Sequence, residues 1–146
     1  MPYEHIRSME QFDEAVSDGG EIAVVTVEIG RAGGLDNAAA VAAAVRMQHI
    51  LKKLPLMTGV NFCVGGYDDD PRPICEIPEA RQYVLRFVEL LQALGIPSSR
   101  FLEDSLVLVY TCVAVEQGKS VIWNGEKMNG EKMLEEYRDQ VRKTTH

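Results

Sequence analysis

Two short apolar runs separated by one alanine-rich stretch constrain this chain more than anything else in it. Ile22-Ala23-Val24-Val25-Thr26-Val27-Glu28-Ile29 is dense in β-branched residues and lacks a polar face, the pattern of a central strand buried on both sides. Gly59-Val60-Asn61-Phe62-Cys63-Val64 reads as a second strand. Between them, alanines at 38–40 and 42–44 give high helix propensity over residues 37–54. Val41, Ala44, Val45, Met47, Ile50, Leu51 and Leu54 form the apolar side of that helix, with Arg46, His49 and Lys53 opposite. Lys52 and Lys53 sit in the last turn, where the helix dipole favours cations, and Pro55 ends the helix. A strand, a helix and a strand with short connectors make a βαβ unit. The two strands are therefore expected as parallel neighbours or near-neighbours joined by a right-handed crossover.

The rest of the chain punctuates itself. Ser8 and Gln11 have the capping-box spacing, Met9, Phe12 and Val16 follow at helical intervals, and Gly19-Gly20 closes this first helix. Pro78 suits a first helical position, Ala80, Val84, Phe87, Val88, Leu91 and Leu94 keep helical time, and Gly95 stops them. Ser105–Val115, β-branched at Val107, Val109, Thr111, Val113 and Val115, is expected as a strand, with a helix as the other option. In the tail, Asn124-Gly125 suits a tight hairpin turn and Asn129 suits the cap of a last helix. No linker or composition shift divides the 146 residues. The expectation is one α/β domain over 1–146, with a βαβ unit, a mixed sheet of about four or five strands and about four helices.

Composition removes several function classes. No apolar run approaches the ~18 residues of a membrane helix, and the start of the chain has neither a signal nor a transit pattern. A cytoplasmic location and no membrane partner are the expectation. Three cysteines do not make a secreted disulfide framework. A net charge of −7 argues against nucleic acid as the partner. The basic group Arg46, His49, Lys52 and Lys53 is a small patch, suited to a solvated face or an acidic partner.

Ligands of open parallel sheets gather outside the carboxyl ends of the strands. Two loops should emerge there, Gly30–Asp36 and Gly65–Cys75. The first holds Arg31, Gly33, Gly34 and Asp36 at a strand-to-helix junction, where free amides attract anions. It lacks the Lys-Ser or Lys-Thr of a phosphate loop and the spacing of a dinucleotide fingerprint, so a connector explains it better. The second holds Tyr67, Asp68, Asp69, Asp70, Arg72 and Cys75. Its consecutive aspartates offer hard oxygen ligands to Mg²⁺ but do not follow the calcium-loop pattern, and an Asx-turn with local ion pairs accounts for them. Cys63 and Cys112 lie in apolar runs and read as core. Cys75 has Glu76 beside it, which opposes a thiolate. No zinc spacing and no nucleophile elbow occurs.

Two functional readings follow. The first is a non-catalytic module that binds a partner protein or its own copy, with no cofactor. The alternative is a divalent-metal-dependent enzyme acting on a small phosphorylated or acidic ligand. In it Asp68, Asp69 or Asp70 would hold Mg²⁺ and Arg31 or Arg72 would bind the anion.

Overall fold

The computed structural model describes residues 3–17, 22–30, 34–55 and 58–144. The βαβ unit is present, and a second one precedes it. Strand β1 (Tyr3–Ile6), helix α1 (Met9–Ser17), strand β2 (Val24–Gly30), helix α2 (Asn37–Lys53) and strand β3 (Gly59–Val64) build a three-stranded parallel sheet in the order β1-β2-β3. Both crossovers step the same way across the sheet, so right-handedness places α1 and α2 on one face. That face carries Val25, Val27 and Ile29 of β2 with Val60 and Phe62 of β3, all buried in one cluster with Phe12 of α1 and Met47 and Ile50 of α2.

Helix α3 (Pro78–Ala93) extends this layer beside α2. Tyr83 donates its hydroxyl to the carbonyl of Ile29, Phe87 meets Phe62 edge to face at 5.1 Å, and Arg86 Nε donates to Asn37 Oδ1 at 2.8 Å. Helix α4 (Glu103–Gln117) seals the outer edge of β3, because Leu102 N donates to the Val60 carbonyl and Phe62 N donates to Ser105 Oγ at 2.9 Å. A hairpin of β4 (Val121–Trp123) and β5 (Glu126–Met128) then leads into α5 (Gly130–Thr144), which packs on α4.

Several expectations are corrected. Residues 105–115 are helix, so among the described residues there are five α-helices, and β4–β5 is a separate antiparallel sheet instead of part of one mixed sheet. The run is apolar around its whole circumference because α3, α5, the β3 edge and the hairpin surround it. That burial outweighs the few tenths of a kcal/mol each β-branched residue costs in a helix. Strand β1 was not expected; it is short, polar and on an edge. In α2 the core face is Ala40, Ala43, Ala44, Met47 and Ile50, so Val41 (41% exposed) and Val45 (54% exposed) lie on the solvent side. Val16 of α1 is likewise exposed.

Several of the start and stop signals are present as expected. Asn124 (φ 51°) and Gly125 (φ 80°) turn the hairpin, Gly95 (φ 79°) follows α3, and Asn129 Oδ1 accepts from Lys132 N at 2.9 Å. Ser8 Oγ accepts from Gln11 N, while the Gln11 side chain reaches one residue further back than a capping box requires, to Arg7 N. Its amide also donates to the His5 carbonyl. A neighbouring parallel strand would bond this same kind of pair, a carbonyl and the amide two residues on. Gln11 thus stands in for a missing strand along the open edge of β1. The Gly19-Gly20 stop lies outside the described residues.

Candidate functional site

The carboxyl ends of β2 and β3 are adjacent: Gly30 registers with Val64, and Gly65 N donates to the Gly30 carbonyl at 2.7 Å. The two loops therefore leave the same rim of the sheet, and then they part. Arg31 and Gly33 lie outside the described residues. Gly34 is exposed, and Asp36 caps α2, its Oδ1 accepting from Ala39 N at 2.8 Å. The glycine that starts the loop has a packing role. A Cβ on Gly30 would stand 2.7 Å from the Tyr83 ring and 2.8 Å from Leu35, so glycine lets α3 close on the strand end.

The second loop builds a cleft. Asp70 N donates to the Tyr67 carbonyl at 3.0 Å, closing a turn through Asp68 and Asp69. Asp70 then grips Arg72 as a fork, with Nε 3.1 Å from Oδ1 and Nη2 2.9 Å from Oδ2. These bonds hold the Asp70 carboxyl below the usual carboxylate range. Tyr67 donates to Glu79 Oε1 at 2.6 Å. Burial first, and that carboxylate second, push its hydroxyl up to about 12.

Across from the loop, α5 swings back over the sheet end. Between them lies a cleft of about 490 Å³ floored by Val64, Ile74, Tyr137 and Val141 and rimmed by Tyr67, Asp68, Asp70, Arg72, Arg138 and Arg142. A second hollow of about 160 Å³ shares that floor and reaches Cys63. Helix α5 is moored on both sides, by Arg138 to Glu76 Oε1 at 2.6 Å and by Gln140 Nε2 to Asp104 Oδ1 at 2.6 Å.

Of the residues singled out from sequence, Tyr67, Asp68, Asp70 and Arg72 line this cleft. Asp69 is exposed on the turn, while Gly34 and Asp36 stand apart at the start of α2. Cys75 is fully buried in a single 3₁₀ turn, Ile74–Glu76, and burial raises its thiol to about 12. The three aspartates do not gather into a ligand set: Asp70 is occupied by Arg72. Among the described residues no three His, Cys, Asp or Glu side chains could hold a metal ion together. Of the basic group on α2, Arg46 is half-buried with Nη2 3.5 Å from the Glu28 carbonyl, Lys53 meets Asp13 at 3.6 Å, and His49 is exposed.

Two groupings escaped sequence reasoning. One is the α5 wall, for which the Asn129 cap of a last helix was legible but the return of that helix to β3 was not. The other spans the three parallel strands. Glu28 Oε2 on β2 lies 3.3 Å from Arg7 Nε, just after β1, and 3.9 Å from His5 Nε2 on β1, and His5 Nε2 is 4.0 Å from Cys63 Sγ on β3. A lone glutamate in an apolar strand was its visible sign. Gly65 makes room for it, since a Cβ there would collide with the Glu28 carboxylate. This group does not activate the thiol: burial first, then Glu28, push Cys63 up to about 11. No family model, no curated protein and no solved structure matches this chain.

Proposed function

We propose that this chain is a non-catalytic protein-binding module and that the cleft under α5 receives an extended segment of its partner. The lining of the cleft carries this reading. A strand, a 3₁₀ turn and a helix supply a concave floor of branched and aromatic side chains, the kind of surface that anchors a partner's apolar residue. Charge on the rim narrows the segment further. Arg72 is held by Asp70, Arg138 by Glu76, and Arg142 faces Asp139 at 3.8 Å, while among the described residues no ion pair neutralises Asp68. A basic side chain beside the apolar anchor would meet that excess and fix its orientation. Burial keeps the thiols of Cys63, Cys75 and Cys112 protonated, as it does the Tyr137 hydroxyl, so none of these four groups is an activated nucleophile.

Panning a displayed peptide library on the full chain tests the proposal. Selected peptides should share a basic residue next to an apolar one and bind with Kd of about 1–100 µM. Val141→Asp, which places a charge on the floor, should weaken them at least ~10-fold, and Asp68→Lys should weaken the basic ones selectively. Peptides that bind wild type and Val141→Asp equally, or a library that yields none, would overturn it.

A further inference from the structure

We propose that the outer face of α2 is the interface of a homodimer, on which a second copy of this chain lays its own α2 antiparallel. This inference is independent of the cleft. Helix α2 faces the core with Ala40, Ala43, Ala44, Met47 and Ile50, yet the opposite side of its first turns is apolar as well: Ala38, Val41, Ala42 and Val45 are all exposed. A helical stretch that is apolar on both sides ordinarily lies between two layers, and among the described residues no second layer covers these turns. Val41 and Val45 stand at i and i+4 with alanines at 38 and 42 beside them, so they form a ridge with shallow flanks that a second helix can approach closely.

The occupant is identified by charge. Residues 37–54 contain no Asp or Glu in a chain of net charge −7, and exposed Lys52 and Lys53 stand at one end while the Asp36 carboxylate caps the other. An antiparallel copy centred on residue 43 sets Val41 against Val45 of the second copy. It also brings Lys52 to within two residues, about 3 Å of helix rise, of the second copy's Asp36. A twofold axis makes each of these contacts twice, and the two helix dipoles oppose. The parallel arrangement would set the lysine ends together. Acidic α1 does not interfere: the contact of Asp13 with Lys53 at 3.6 Å places it beside the carboxyl end of α2, so the two α1 helices stay at opposite ends of the pair.

Sedimentation equilibrium of the full chain from about 1 µM to about 1 mM should show a monomer–dimer equilibrium. Val45→Glu and Lys52→Glu, both at exposed positions, should leave the monomer folded, as circular dichroism at about 1 µM reads, while weakening the dimer at least ~10-fold. Register is read by cross-linking. A mixture of Val41→Cys and Val45→Cys chains should form a disulfide-linked heterodimer under mild oxidation, in excess of either variant alone and of wild type. A monomer throughout the range, a dimer indifferent to Val45→Glu, or preferential Val41→Cys homodimers would each overturn the proposal.

Discussion

Glu28 governs its neighbours because it is a carboxylate placed among strands that leave it little water. Its charge, after burial, holds the Cys63 thiol at about 11 against an ordinary 9.0. A rise of that size leaves about one hundredth of the usual thiolate, so at pH 8 Cys63 in the folded chain should react with a disulfide reagent ~100-fold more slowly than in denaturant. Glu28→Gln should accelerate that reaction, because it removes a raising charge while Arg7 remains, and stopped-flow labelling gives the rate. Asp70 moves the other way. Its carboxyl is lowered by Arg72, so the pair contributes stability above the ordinary Asp pKa and loses it only as pH falls through the depressed folded value. In a carboxyl-carbon titration by NMR, the Asp70 midpoint should rise in Arg72→Ala. Gln11 acts on backbone instead of charge. If its amide is what seals the β1 edge, Gln11→Ala should leave the fold intact and raise aggregation on agitation, measured by light scattering.

At the level of elements, legibility followed periodicity and punctuation. Helix α3 was readable because Ala80, Val84, Phe87 and Leu91 share one face between Pro78 and Gly95, and the hairpin because Asn124-Gly125 takes positive φ twice. Helix α4 was not, for two reasons. Ser105–Val115 has no polar face to betray a period, and its alternating valines imitate a strand; its true signs were Glu103-Asp104 in the first turn and Gly118 in the left-handed cap. The candidate cleft was half legible for a related cause. Loop 65–73 announced itself through glycine, proline and aspartate, whereas the α5 wall depends on tertiary placement that no local signal records. The join between β3 and α4 shows what that placement rests on. Ser105 Oγ accepts from Phe62 N and donates to Asn61 Oδ1 at 3.1 Å, all three groups buried. Ser105→Ala leaves the strand amide without a partner and should cost about 1–3 kcal/mol in urea denaturation, against less than ~0.5 kcal/mol for exposed Ser99→Ala.

Among the described residues the apolar interior falls into two clusters, and α4 contributes buried side chains to both. The larger lies under the parallel sheet; the smaller consists of Val107, Ala114, Trp123, Met128 and Met133, between α4, the hairpin and the start of α5. A hairpin of three residues per strand is not stable alone, so β4–β5 exists only while α4 and α5 are in place. The converse also holds. Without Trp123 and Met133, α4 would expose Val107 and Ala114 while still bonded to β3 through Ser105, and the sheet edge would lose its cover. Neither cluster can open without damaging the helix that serves both, which predicts one cooperative transition. Trp123 is the sole tryptophan and sits in the smaller cluster, its ring 5.6 Å from Tyr110, so its fluorescence follows that cluster while far-ultraviolet circular dichroism follows the helices around the sheet. The two urea unfolding curves should superimpose, with one midpoint and one slope. Fluorescence moving at lower urea would mean that α4 holds the sheet edge without the hairpin, and that the smaller cluster folds onto a core already complete.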